Sequence, residues 1–295
     1  MKTAVMTDTN SGMSVSMGKD AGIFVLPMPV IIEDVCYMEQ ESVSHADVYA
    51  AMREGREFST TQPSPGDMME LWDEILKQGY DEVIYLPMSS GLSGSCQSAI
   101  QFAKEYEGKV QVADNHRISV TLFESVLDAK AMADEGMSAL QIKQRLEQNA
   151  YESSIYITVN SLEYLKKSGR VTAAGAMIAS VLNLKPVLTI QGEKLDAFAK
   201  IRGMNPAMKR MLEACEQDLK ERFAKVPKEN IHIGVAGTFE HEEDAKKWED
   251  QVREYFPGYF VRYLPLSCSI ACHVGIDSAG IGISCIDRVC SGNER

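Results

Sequence analysis

The apolar run Val83-Ile84-Tyr85-Leu86 passes through Pro87-Met88-Ser89-Ser90-Gly91-Leu92-Ser93-Gly94-Ser95 into a segment whose apolar residues, Ala99, Ile100 and Ala103, fall at helical spacing. A short β-favouring run, a hydroxyl-rich glycine loop and a helix in that order define a strand-to-helix unit. The same order recurs on either side. Ala4-Val5-Met6 ends at the turn Thr7-Asp8-Thr9-Asn10-Ser11-Gly12, and Val110-Gln111-Val112-Ala113 ends at Asp114-Asn115-His116. Ile23–Leu26 and Val30–Ile32 are further strand candidates. Helices are expected over His45–Arg53, from Pro65 to Leu76 behind the N-cap Ser64, beyond His116 with Val120, Phe123 and Val126 apolar, and over Ser138–Gln148. Strands alternating with helices call for a parallel sheet covered on both faces, with ligands beyond the carboxyl ends of its strands.

The pattern changes after about residue 152. Ile155–Val159 reads as a strand, and 185–190 with 194–201 read as a hairpin around Gln191-Gly192-Glu193. A helix is expected after Asn205-Pro206 and another through Ala245, Trp248, Val252 and Tyr255. Strands are expected at 231–236, 260–264 and 282–286. The chain of 295 residues is long enough for two domains. The expectation is an α/β protein: a three-layer α/β/α domain with a mainly parallel sheet over 1–152, then a two-layer α/β domain with a mixed sheet over 153–295. Ser291–Arg295 is expected to be a frayed tail.

A net charge of -12 argues against nucleic acid or an anionic membrane surface as the main partner. No signal peptide is read at the N-terminus, and no apolar run is long enough to span a membrane. Seven scattered cysteines read as reduced thiols in a cytoplasm, not as a disulfide framework.

The Ser89–Ser95 loop is the strongest candidate site. A helix N-terminus has unpaired N–H groups and the positive end of a dipole, which together suit an anion. The plain alternative is a capped turn that binds nothing. No Gly-x-x-x-x-Gly-Lys-Ser/Thr and no dinucleotide fingerprint occur, and Ser93 matches a nucleophile elbow only loosely. Cys268-x-x-x-Cys272-His273 lacks the second ligand pair of a structural zinc site, so buried cysteines are the better reading and no metal is expected. The run Lys166-Lys167-Ser168-Gly169-Arg170 reads either as a solvated face or as a docking patch for an acidic partner.

Several segments resemble one family. Thr60-Thr61-Gln62-Pro63-Ser64-Pro65-Gly66 is similar to the Thr-Ser-Gln-Pro-Ser-Pro-Gly stretch of DegV-family proteins, and Ser89–Gly94 to their Ser-Ser-Gly-Leu-Ser-Gly loop. Leu162–Arg170 resembles their Leu-Glu-Tyr-Leu-x-x-Gly-Gly-Arg segment, and Leu182–Leu188 their Leu-Asn-x-Lys-Pro-Ile-Leu. Asp8 matches an early acidic turn residue. After His273, Val274-Gly275-Ile276-Asp277-Ser278-Ala279-Gly280 stands where the family has Gly-Pro-Gly-Ala-x-Gly.

The resemblance implies a bacterial fatty acid-binding protein of phospholipid metabolism. Such a protein holds one long-chain acid between its two domains and presents the carboxylate to a separate ATP-dependent fatty acid kinase, which makes an acyl phosphate. It implies that Thr61 and Ser93 bind the carboxylate with His273 nearby, and that Arg170, and more weakly Arg202, face the kinase. It implies a carrier, not an enzyme, with no cofactor beyond the bound acid and only transient membrane contact for acyl exchange. Two alternatives stay open: an enzyme using the serine-rich loop for acyl or phosphoryl transfer, and a binding module for another anionic lipid or metabolite.

Overall fold

The computed structural model describes residues 2–176 and 184–288. Leu182 and Asn183 of the Leu182–Leu188 motif, and the Ser291–Arg295 tail, lie outside the described residues. The strands are β1 (Thr3–Asp8), β2 (Phe24–Leu26), β3 (Pro29–Ile32), β4 (Val35–Met38), β5 (Phe58–Thr60), β6 (Glu82–Leu86), β7 (Val110–Val112), β8 (Ser153–Thr158), β9 (Leu184–Ile190), β10 (Asp196–Arg202), β11 (Ile231–Gly237), β12 (Phe260–Pro265) and β13 (Ala279–Cys285).

They form a parallel sheet in the order β2-β1-β6-β7, a mixed sheet in the order β10-β9-β8-β13-β11-β12, and a small antiparallel sheet, β4-β3-β5. The fold is therefore α/β, with one mainly parallel and one mixed sheet. The small sheet departs from expectation. Val30–Ile32 belongs to it and not to the parallel sheet, and Phe58–Thr60, where no strand was expected, is one of its edges. Pro27 and Pro29 are where the chain leaves one sheet for the other.

Layering explains how the site is enclosed. Alternate residues of β1 and β6 point to opposite faces. Ala4, Met6, Val83 and Tyr85 pack with Met68, Trp72 and Ile75 of the helix Pro65–Lys77. Val5, Ile84 and Leu86 pack instead with Leu122, Phe123 and Val126 of the helix Ser119–Asp134. That same cluster takes in Ile157, Leu188 and Ala236 of the mixed sheet, so the helix Ser119–Asp134 is shared between two sheets. The opposite face of the mixed sheet is covered by the helices Met204–Glu221 and Glu242–Tyr255, with Trp248 and Met211 fully buried.

The shared helix fits closely because Gly234 of β11 and Gly282 of β13 lie opposite one another in register. A Cβ on Gly234 would stand 2.3 Å from Val120, and one on Gly282 would stand 2.9 Å from it. The helix also brings charge into the interior. Glu124 lies 3.0 Å from Nδ1 of His232 and is ion-paired with Arg262 at 3.5 Å and with Arg288, while Asp128 pairs with Arg288 at 2.6 Å. Burial acts against the Glu124 carboxylate, but the His232 hydrogen bond and the two arginines hold it down to about 2.

Candidate functional site

A cavity of about 310 Å3 lies in the core shared by the two sheets, a size in the range of small-molecule pockets. Its walls are mainly aliphatic, among them Ile118, Val120, Ile155, Ile157, Leu165 and Ile190. At one side Thr60, Thr61, Gln62, Ser93 and His273 converge with Arg170. There the cavity meets an open polar cleft lined by Ser90–Gly94, Ser168–Arg170 and Lys194.

Three elements meet at this junction. β5 delivers Thr60, and the chain continues to Thr61, which is exposed. Ser64 caps the following helix by accepting from the Asp67 N–H at 3.0 Å, with Pro65 opening it. The loop after β6 delivers Ser93, whose oxygen accepts from the Ser95 N–H at 3.2 Å, ahead of the helix Ser95–Ala103. The helix Cys268–Val274 delivers His273. His273 lies in the last turn of this helix, which Gly275 caps.

The loop is tied down from several directions. Ser89 donates to the carbonyl of Gly192 at 2.5 Å and accepts from the Gly91 N–H at 3.2 Å. The Ser90 N–H donates to Asp114 at 3.2 Å. Gly91 lies directly against the β9–β10 turn: a Cβ there would meet the Gly192 carbonyl at 2.6 Å and the Glu193 Cα at 2.7 Å. Asp8 is fully buried and accepts from the N–H groups of Asn10 at 2.9 Å and Met88 at 3.2 Å. Burial pushes its carboxyl up to about 7 against the pull of those two donors. Asn10 in turn accepts from Ser267 at 2.8 Å and Ser269 at 2.5 Å. The β1 turn thus links the Ser93 loop to the helix carrying His273.

Nε2 of His273 lies 2.8 Å from the Thr60 hydroxyl, and Nδ1 is buried without a partner among the described residues. Burial first, and the nearby Arg170 charge second, push this imidazole down to about 4. His273 is therefore neutral near pH 7. Thr60, which the sequence reading passed over in favour of its neighbour, is the residue that orients the ring. Lys194, also missed, flanks the outer cleft.

Arg170 lines both cavity and cleft and donates to the Ser168 carbonyl at 2.5 Å. Arg202 lies elsewhere. It is exposed at the end of β10 opposite the Gln191–Glu193 turn, about 20 Å along the strand, and lines neither space. Asp277 faces the neighbourhood of Asp244 and His241, outside the cavity lining. Arg117 is buried and anchored on the carbonyls of Asn149 and Ala150, away from the rim.

Cys268 and Cys272 pack in an apolar cluster with Val30, Val48 and Ala271. Glu39, His45 and Cys268 do come together, within 4.8 Å. Each is engaged locally: Glu39 accepts from Thr9 and from the Cys268 N–H, both at 2.7 Å, and His45 Nε2 lies 2.7 Å from the Leu266 carbonyl. Among the described residues no helix is long and apolar enough to cross a membrane, and the described cysteines are free thiols.

Two α/β sheets thus share one helix, and an aliphatic cavity between them opens where several hydroxyl side chains gather. The chain belongs to the DegV family: the model described as "Uncharacterised protein, DegV family" matches residues 2–285. A DegV domain-containing protein of Staphylococcus aureus is 30% identical over 292 residues, 98% of each chain. One from Deinococcus radiodurans is 32% identical over 209 residues, 70% of this chain and 74% of its own. Among solved structures, a fatty acid-binding DegV family protein from Thermus thermophilus superposes with a TM-score of 0.86 at 27% identity, covering 97% of this chain and all of its own. DegV of Bacillus subtilis, a fatty acid binding protein, gives 0.83 at 25% identity with the same coverage, 97% and 100%.

Proposed function

We propose that this chain binds one long-chain fatty acid and presents its carboxylate to a separate ATP-dependent fatty acid kinase for conversion to an acyl phosphate. The observation that carries this reading is the junction itself, an aliphatic cavity whose cluster of hydroxyls lies where it opens onto a cleft flanked by Arg170 and Lys194. The fatty acid-binding relatives from Thermus thermophilus and Bacillus subtilis support it. On this reading residues 1–152 supply the hydroxyl loops and residues 153–295 close the acyl pocket.

Ser93 already accepts from a backbone N–H, which leaves its proton for a ligand oxygen. Thr61 is exposed at the mouth and supplies a second donor. His273 stands beside them, uncharged, with Nε2 2.8 Å from the Thr60 hydroxyl. Neutral donors such as Ser93 and Thr61 hold a carboxylate without neutralising it, so its oxygen keeps the electron density needed to attack a phosphoryl group. Affinity comes from the tail, at roughly 0.8 kcal/mol for each buried methylene. Arg170 and Lys194 face the cleft where an ATP-bound partner would dock. The reading needs no cofactor, and it places the protein in a cytoplasm, exchanging acyl chains with a membrane by brief contact.

The test is direct. Protein purified from a bacterial host is denatured and extracted, and close to one long-chain acid per chain is expected. Lipid-free extracts, with no uptake of added acid, would sink the reading. Acyl phosphate is expected only when kinase, ATP and loaded protein are combined. Its formation by this chain with ATP alone would establish an enzyme instead.

A further inference from the structure

The polar cleft outside the mouth holds two cations without a counter-charge. Arg170 and Lys194 both line it. Arg170 gives one N–H to the Ser168 carbonyl, and neither side chain is ion-paired among the described residues. Glu193, the acid next to Lys194, has its carboxylate against Gly91 instead: a Cβ on Gly91 would stand 2.7 Å from it. The backbone sets the two cations side by side. The Leu195 N–H donates to the Arg170 carbonyl at 3.0 Å, and the Thr172 N–H to the Leu195 carbonyl at 2.8 Å. These bonds bridge Val171 and Leu195 in parallel, so the residues one step earlier, Arg170 and Lys194, are neighbours as well. Leu195 is buried in the cavity wall, whereas Lys194 before it is exposed in the cleft.

Like charges held together repel unless an anion comes between them. The cleft opens from the proposed carboxylate seat: Leu92, Ser93, Gly94 and Arg170 line both it and the cavity. With the acyl chain in the aliphatic cavity, a group joined to the carboxylate oxygen extends into the cleft, which has about 410 Å3. A phosphoryl group there brings a charge of roughly −1.5 to −2 and three accepting oxygens. The hydroxyls of Ser93 and Thr61 offset none of that charge. Lys194 and Arg170 do, and each has N–H donors to spare.

We propose that Lys194, beside Arg170, is a phosphoryl-binding residue: the cleft is a subsite for the ligand itself, seating the phosphate group of an acyl phosphate, and not only a docking face for the kinase. This rests on the fatty acid reading above and adds a second point of recognition to it.

The experiment compares two ligands on delipidated protein: palmitic acid, and a hydrolysis-resistant mimic of palmitoyl phosphate in which a methylene group replaces the bridging oxygen. No kinase is present, so docking contributes nothing to either affinity. Lys194→Ala is expected to lower the affinity for the mimic relative to that for palmitic acid by about tenfold, and Lys194→Arg to restore it. A ratio of the two affinities that is the same in wild type and Lys194→Ala would overturn the subsite and leave Lys194 a docking residue only. Exclusion of the mimic by a wild type that takes palmitic acid would overturn it too. Both outcomes leave the fatty acid reading standing, whereas failure of both ligands to bind overturns that reading as well.

Discussion

At the scale of single residues, the proposed carboxylate seat consists of uncharged hydroxyls at the mouth of the cavity, with Arg170 beside them. Ser93→Ala and Thr61→Ala are each expected to weaken fatty acid binding by about 1–3 kcal/mol, the range for a hydrogen bond to a charged group. Titration of delipidated protein with a fluorescent acid measures this, and unchanged affinity in both variants removes the proposed seat. Two buried groups near the mouth tilt stability in opposite directions. Asp8 titrates at about 7 folded against 3.8 unfolded, so its contribution is full below about pH 4 and is lost as the pH rises to 7. His273 titrates at about 4 folded against 6.5 unfolded, so its contribution is present above pH 6.5 and is lost as the pH falls to 4. Asp8→Asn deletes the first slope only. Its stability relative to wild type is expected to climb between pH 4 and 7 by roughly 2–4 kcal/mol, read from urea melts at each pH. Parallel curves for the two proteins would contradict the assignment. The family resemblance singled out Ser93, Thr61, His273 and Arg170 because each lies in a short local motif, and the structure brings the four to one junction. It missed Thr60 and Lys194, whose places depend on neighbours far along the chain. Arg202 was picked out only as following the hairpin, and β10 carries it away from the cavity lining.

At the scale of elements, the hydroxyl loop holds its shape because another element is pressed against it. Gly91 meets backbone atoms of the β9–β10 turn that cannot swing aside. Gly91→Ala is expected to destabilise the protein by roughly 1–3 kcal/mol and to speed release of the bound acid, checked by melting and by stopped-flow transfer to vesicles. Gly280 gives the reverse case. An added Cβ would have its nearest neighbours at 3.7 Å, ordinary contact, while the residue lines the cavity. Gly280→Val should fold normally and shift preference toward shorter acids, seen in the mass spectrum of copurified lipid. An unchanged lipid profile would show that the acyl chain does not reach this wall. Strands and amphipathic helices were readable where periodicity and caps agreed, as at Ser64-Pro65 and over His45–Arg53. The small sheet was not. β4 and β5 are short and partly exposed, and only pairing with β3 makes them strands. The helix Cys268–Val274 escaped notice for a related reason: at seven residues, mostly buried, it has no polar face to mark a period.

At the scale of the whole molecule, the helix Ser119–Asp134 makes two sheets into one core. Neither sheet keeps its buried face without it, so unfolding is expected as a single cooperative transition, with fluorescence and circular dichroism coinciding. A stable, monomeric fragment of residues 1–152 would contradict this. The cavity lies inside that same core. At the ~24 cal/mol per Å3 that core voids cost, a dry hole of 310 Å3 represents about 7 kcal/mol, comparable with the entire stability of many domains, about 5–15 kcal/mol. On the fatty acid reading proposed above, a chain without its lipid is a chain short of its own interior, and cellular proteases discriminate against loosely held chains. Lifetime and cargo become one variable: the number of intact copies in a cell is expected to rise and fall with lipid supply, making abundance itself a gauge of what is available to carry.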